Sequence, residues 1–205
     1  DIDNGTTVTL DSTVSNTISA THRGIFAEGA AEENPTTVSL NAGVDNNIYS
    51  GEIVMITDTK TGVSTEYGHQ SAVYALSGSS VDLAAGEQNY LLGAVYANGT
   101  GTNVDVKGKD SSTATNVVRS AAVIDGAGGL DGKVTTTDPE TGEIVTTGLD
   151  VVSALYAEKG AVINVSGINN FRTYYSNPLD SYTSERAVWA YKGADITIDG
   201  NTNIS

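Results

Sequence analysis

The chain repeats itself, and that bounds its fold more tightly than any other feature. Residues 187–200 read "AVWAYKGADITIDG". Close copies begin at Ala72 ("AVYALSGSSVDLAAG"), Ala94 ("AVYANGTGTNVDVKG") and Ala154 ("ALYAEKGAVINVSG"). "GIFAEGAAEENPTTVSLNAG" from Gly24 has the same form with a longer turn, and "AVIDGAGGLDGKVTTT" from Ala122 reads as a degraded copy. "GTTVTLDST" from Gly5 matches the second half of a unit, and "IYSGEIVMIT" from Ile48 matches poorly. The common form is small, aliphatic, aromatic, Ala, a Gly turn, apolar-x-apolar, then Gly.

Internal repeats of this length mean stacked units, each too small to bury a core alone. The starts at 72 and 94 lie about 22 residues apart, and those at 154 and 187 about 33. Propeller blades keep a more even length, and leucine-rich repeats carry their own Leu and Asn pattern. Helical repeats need a period of 3.6, whereas the period here is two and β-branched residues abound. Short strands, Gly turns and variable connections point to an all-β fold, a parallel β-helix wound right-handed by the crossover preference. Seven or eight coils at the strand spacing would make a rod of about 30–40 Å.

Alternation assigns the faces. Val81, Leu83, Val104, Val106, Ile163, Val165, Ile196 and Ile198 are expected inside, with Asp82, Asp105, Asn164 and Thr197 outside. In the first strand of the unit two faces compete. The aliphatics Ile25, Val73, Val95, Val123, Leu155 and Val188, with Ala27, Ala75, Ala97, Ala157 and Ala190, suit a narrow interior. Phe26, Tyr74, Tyr96, Ile124, Tyr156 and Trp189 would then form an outer ladder, and Asp125, in place of an inward Ala, would distort its coil.

Two inserts resemble each other, at 53–67 ("IVMITDTKTGVSTEY") and within 133–147 ("KVTTTDPETGEIVTT"). Each has alternating residues around Asp-x-x-Thr-Gly, a compact turn with Gly supplying positive φ, so both read as β-hairpin excursions. A third, at 168–185, is Tyr-rich, holds an Asn-Pro turn signal and reads as a loop.

The formal net charge of −15 disfavours nucleic acid and anionic membrane surfaces as partners. No apolar run approaches the roughly 20 residues of a membrane helix, so no membrane insertion by this segment is expected. There is no cysteine, hence no disulfide framework. The start, "DIDNGTT", shows no signal peptide.

The recurring "AVYA..G...V.V.G" unit resembles the passenger domains of Gram-negative autotransporters, secreted by the type V route, and the likeness covers about residues 5–205. It implies a right-handed parallel β-helix of the pectin-lyase-like kind, adhesive function, and display at the bacterial cell surface through a C-terminal outer-membrane barrel that lies outside this sequence. It also implies a cleaved signal peptide. The chain stops at "NTNIS", just after a finished unit and without a capping segment. The expectation is therefore a single β-helix segment, 1–205, from the N-terminal part of a longer passenger.

Candidate binding residues fall in and beside the Tyr-rich insert: Phe171, Arg172, Tyr174, Tyr175, Tyr182 and Arg186, with Trp189 ending the ladder. Aromatic faces with Arg stack on sugars or anchor protein partners; alternatively these rings shield the rod's flank, and the ladder packs on itself beneath the inserts. Asp82 and Asp105 hold the same place in consecutive units. A Ca2+ site would use such oxygens, whereas an ion pair with Lys107 or simple solvation accounts for them without a metal. "DGAGGLDG" from Asp125 lacks the nonapeptide pattern of calcium-binding β-rolls. His22 and His69 have no partner at metal spacing, and the Ser of "GLDVVSAL" lacks a nucleophile-elbow context. No metal or cofactor is expected.

The functional expectation is a non-catalytic adhesin that binds a glycan or protein on a host cell or another bacterium. A self-associating passenger giving aggregation or biofilm uses the same rod. A polysaccharide-degrading enzyme would need clustered acids, or Ca2+ with a basic residue. The Asp-Asp, Asn-Thr-Asp and Gly-His-Gly signatures of polygalacturonases are missing, and the four arginines are spread along the chain with no evident basic cluster.

Overall fold

A computed structural model describes residues 2–3, 5–29, 35–51, 53–110, 112–123, 134–137, 144–147, 153–176 and 186–205. Among these the protein is all-β with no helix. Each pass of the chain lays one strand in each of three columns, and successive passes pair in parallel, in a solenoid-like stack. The first column is a six-stranded parallel sheet: Ile2–Asp3, Ile25–Glu28, Ser71–Leu76, Ala94–Asn98, Leu155–Glu158 and Val188–Tyr191. The second and third columns belong to one 12-stranded sheet, because Val162–Ser176 and Asp195–Ile204 each run through both.

The repeat units align as their sequences do. Val73 faces Ile25 and Val95, and Leu155 faces Val95 and Val188. Val81 lies opposite Val38 and Val104, then Ile163 follows, then Ile196. The inward aliphatics and alanines of the inner passes are almost wholly buried in one continuous core, while in the last pass Val188, Ile196 and Ile198 are partly buried against it and Ala190, expected inside, is exposed because no further pass covers it among the described residues.

Turn chemistry sets where each strand ends. Lys159–Gly160 and Lys192–Gly193 both take successive positive φ values (55° and 80°, 51° and 76°), the tight reversal that leads from the first column to the second. At the next corner the glycine that closes each unit is needed for approach. A Cβ on Gly86 would lie 2.0 Å from the Gly43 carbonyl oxygen of the pass below.

The third column was not visible as a repeat. It comprises Ser15–Ala20, Asp45–Ser50, Gln88–Leu92, Thr115–Val123 and the later parts of the two long strands. The passes carry Asn-x-aliphatic here, with Asn169-x-Phe171 in the fifth and Thr202-x-Ile204 in the last. Buried amides form a directional chain: Asn16 Nδ2 donates to Asn46 Oδ1 (3.0 Å), Asn46 to Asn89 (3.0 Å), Asn89 to Asn116 (2.9 Å), Asn116 to Asn169 (2.9 Å), and Asn169 to Thr202 Oγ1 (3.3 Å). Each Nδ2 also reaches a backbone carbonyl by the corner, so polar groups that would be costly to bury are satisfied.

Several expectations change. Six passes are described rather than seven or eight, spanning about 24 Å at the strand spacing. The segment from Ala122 is no copy of the unit. Ala94–Asn98 pairs directly with Leu155–Glu158, and Ala122 and Val123 end a third-column strand beside Tyr175 and Ser176. Ile48 likewise belongs to the third column. The Tyr-rich "loop" begins as strand, with 168–176 in register with 115–123; its remainder, 177–185, lies outside the described residues, as do Ile124, Asp125 and the "DGAGGLDG" stretch.

Both hairpins form. Ile53–Thr57 pairs antiparallel with Ser64–Gly68, and Val134–Thr137 with Ile144–Thr147. The turn of the second lies outside the described residues.

Candidate functional site

The hairpin of 53–68 leaves the stack at the corner between the third column and the first. Its turn is built by Asp58, whose Oδ1 accepts the backbone N–H groups of Lys60 (2.7 Å) and Thr61 (3.3 Å), while Gly62 takes φ +70°. Those two N–H bonds, Lys60 first, hold the Asp58 carboxyl below the usual aspartate range. The hairpin returns through Gly68, which pairs with Ser120 of the third column. A Cβ on Gly68 would sit 2.0 Å from the Leu92 carbonyl carbon, so only glycine permits this docking.

The third-column strands lengthen here, from five residues in Gln88–Leu92 to nine in Thr115–Val123, and the sheet runs on toward the hairpin. The result is an open groove of about 660 Å³ between hairpin and sheet, lined by Thr57, Asp58, Thr61, Tyr67, Arg172 and Tyr174 among others. The Tyr67 and Tyr174 rings meet at 5.9 Å. A smaller depression of about 180 Å³ adjoins it, lined by Val117, Arg119, Asn170, Arg172 and Asn203. Arg172 belongs to both.

Arg119 and Arg172 are directly paired across neighbouring strands. The arginines looked scattered in sequence, yet two of the four are brought together here. Arg119 lies over the Tyr90 ring, 5.5 Å from its centre, and its Nη1 donates to the Tyr90 hydroxyl at 3.2 Å. Burial raises the Tyr90 pKa, partly offset by the Arg119 charge. The Arg119 Nε is buried without a hydrogen-bond partner. Arg172 is exposed and donates from Nε to Ser205 Oγ at 2.9 Å.

The candidate binding residues therefore separate. Phe171 is completely buried in the core, opposite Val118, and its ring is unavailable to a ligand. The inward position follows from alternation, since its neighbours Asn170 and Arg172 point out. Arg172 and Tyr174 line the groove. The Tyr175 backbone pairs with Ala122; its side chain and Tyr182 lie outside what is described. Trp189 belongs to the first sheet, and Arg186, just ahead of that strand, places its guanidinium 4.3 Å from the ring centre.

That sheet carries the aromatic ladder on its outer face. Successive ring centres lie 5.7 Å (Phe26–Tyr74), 4.8 Å (Tyr74–Tyr96), 5.2 Å (Tyr96–Tyr156) and 4.7 Å (Tyr156–Trp189) apart. Arg23 covers its other end, 4.0 Å from the Tyr74 ring centre. Tyr96 and Tyr156 are nevertheless buried, packed with Leu76, Tyr74 and Trp189. The Tyr96 hydroxyl donates to Glu158 Oε1 (2.6 Å), which also accepts from Asn98 Nδ2 (2.6 Å), and the Tyr156 hydroxyl donates to Glu158 Oε2 (3.4 Å). Burial, then the bond to Glu158, pushes the Tyr96 pKa far up. Burial, then the Glu158 charge, pushes that of Tyr156 up to about 12. The middle of the ladder is thus a packed polar-aromatic cluster with no ring face free for stacking.

Asp82 and Asp105 are register partners. Lys107 Nζ pairs with Asp82 at 3.0 Å, and Asn164 Nδ2 donates to Asp105 at 2.9 Å. Among the described residues no three His, Asp or Glu side chains come together in a way that could hold a metal ion. Ser153 is buried, and His22 contacts only the Thr21 carbonyl at its Nδ1. The amide chain and the arginine pair were missed in the sequence; the signal for the first was a recurring Asn-x-apolar, two or three residues after the corner glycine at Asn46, Asn89 and Asn169.

Comparison with protein-family models, with curated proteins and with solved structures finds no match to this chain.

Proposed function

We propose that the chain is a segment of right-handed parallel β-helix of the autotransporter-passenger type, working at the bacterial cell surface as an adhesin. Its binding site is the groove between the 53–68 hairpin and the third column, and its ligand is a glycan or protein on a host cell or a neighbouring bacterium. The observation that carries the reading is the groove itself. A rigid stack holds hydroxyl-bearing threonines, two tyrosine rings and an exposed arginine around one open cleft. A right-handed winding accords with the general preference of parallel crossovers. Tethering would come from an outer-membrane barrel elsewhere in the longer protein. Aromatic rings with a few placed polar groups are what carbohydrate and protein contacts use, and contact area rather than reacting groups supplies the affinity.

The test compares the chain with a variant in which residues 53–67 are replaced by a short turn, both applied to arrays of glycans and matrix proteins. The reading expects discrete signals that vanish in the variant while its circular dichroism is retained. The same binding profile for both proteins would remove the groove from consideration.

A further inference from the structure

We infer that the arginine end of this groove recognises an isolated carboxylate on a sugar, so that the ligand is a sparsely charged acidic oligosaccharide. The inference rests on the groove reading above and adds the ligand's chemical class. Arg119 and Arg172 are register partners on adjacent parallel strands, which places their backbones about 4.8 Å apart. Two like charges carried at paired positions of neighbouring strands repel each other, and neither has an ion-pair partner among the described residues, although the chain carries 25 Asp and Glu against 10 Lys and Arg. Asp58 shares the groove with Arg172 and the Glu66 charge is felt at Tyr90, but neither carboxylate is ion-paired to an arginine among the described residues, which leaves the pair able to take an anion from outside. The Arg119 Nε is buried out of a ligand's reach, so the depression that Arg119 lines is met by the rest of its guanidinium. Tyr90 fixes the Arg119 guanidinium from one side, and Asn170 and Asn203 add amides to the same depression.

Two features choose the ligand. The groove continues from the arginines toward threonine hydroxyls and the half-buried Tyr174 ring, which packs on the buried Tyr67, a lining that suits neutral sugar rings more than a run of charges. Asp58 at the hairpin turn also lines it, and a second carboxylate placed there would be repelled. A net charge of −15 repels a dense polyanion as a whole, whereas a single carboxylate within a Debye length of about 8 Å responds to the local pair. The arginines accept a uronate or a sialate equally, through the same fork geometry.

The test is calorimetric titration of the whole chain with sialyllactose, a glucuronic-acid disaccharide, lactose, heparin and an acidic peptide. Both carboxylate sugars, or the one that is the natural source, should bind about tenfold more tightly than lactose. Arg172→Gln, at an exposed site, should bring that ratio close to one without altering thermal melting, and Arg119→Gln should lower the ratio likewise while also costing some stability through its lost contact with Tyr90. Tyr174→Ala should weaken the charged and neutral sugars alike. Equal binding of charged and neutral sugars, indifferent to both arginines, would overturn the carboxylate inference and leave the groove reading intact. Sugar binding that survives replacement of the hairpin would overturn the groove reading instead. Tighter binding of heparin, or an acidic peptide that outcompetes both sugars, would overturn the assignment to a sparsely charged glycan.

Discussion

Replacing Asn89 by alanine interrupts the amide chain at its middle. Asn89 is fully buried. Its Nδ2 donates to Asn116 Oδ1 and to the Lys107 carbonyl, both at 2.9 Å, and its Oδ1 accepts from Asn46 at 3.0 Å. Three hydrogen bonds at about 1 kcal/mol net each give a loss of about 3 kcal/mol, and the acceptors left dry at Asn116 and Lys107 bring no compensation. Urea unfolding followed by far-ultraviolet circular dichroism would register this as a midpoint lowered by about 1–1.5 M at unchanged slope, for a slope of about 2–3 kcal/mol/M. Asn164→Ala is the matched control. That side chain points outward, its partners are half-exposed, and water replaces them, so the change should stay within about 0.5 kcal/mol. Asn89→Asp keeps the shape but sets an acceptor against the Asn116 oxygen, and should cost more than alanine. If Asn89→Ala and Asn164→Ala shift the midpoint equally, the buried amides do not hold the third column.

Phe171→Ala should lower stability by about 3–5 kcal/mol, because a fully buried ring is removed from the core, whereas Arg172→Gln next to it should stay within about 0.5 kcal/mol; thermal melts of the two variants decide it. At alkaline pH the folded protein should lose stability. Tyr96 and Tyr156 hold their protons more tightly folded than unfolded, so the stability they confer is complete below pH 10, the ordinary tyrosine value, and declines as pH rises toward about 12. Absorbance titration of the phenolates should show Tyr96 and Tyr156 ionising last, with Tyr90 also above the ordinary value, and Tyr96→Phe should remove one late phenolate. A single transition of all ten tyrosines near pH 10 would contradict the buried Glu158 cluster.

The first two columns were legible because their residues alternate cleanly. Val81-Asp82-Leu83 and Ile163-Asn164-Val165 show a polar residue between two apolar ones, and the fold places each as the pattern implies. The hairpin at 53–67 was legible because Asp58 and Gly62 carry its turn within five residues. The third column was hidden because its inward residue is polar. Asn46, Asn89 and Asn116 look like surface residues in a chain rich in Asn, Ser and Thr, and only stacking makes their burial tolerable. Phe171 was misplaced for the opposite reason: tyrosines around it gave a polar-aromatic context that masked its inward phase. Tyr96 points outward as expected, yet Tyr74, Tyr156 and Glu158 enclose it. The arginine pair depends on register across two passes and has no local sequence mark.

Native cysteine is absent, which allows the stacking to be probed covalently. Asp82 and Asp105 are register partners on adjacent strands, so their Cα atoms should lie about 4.8 Å apart, within disulfide reach, while Asp82 and Asn164 are two strands apart at about 9.6 Å. Under mild oxidation the Asp82→Cys/Asp105→Cys protein should close its disulfide nearly completely, and the Asp82→Cys/Asn164→Cys protein should not. Closure of the second pair as readily as the first, or of neither, would contradict the in-register stack from which the groove and its chemistry follow.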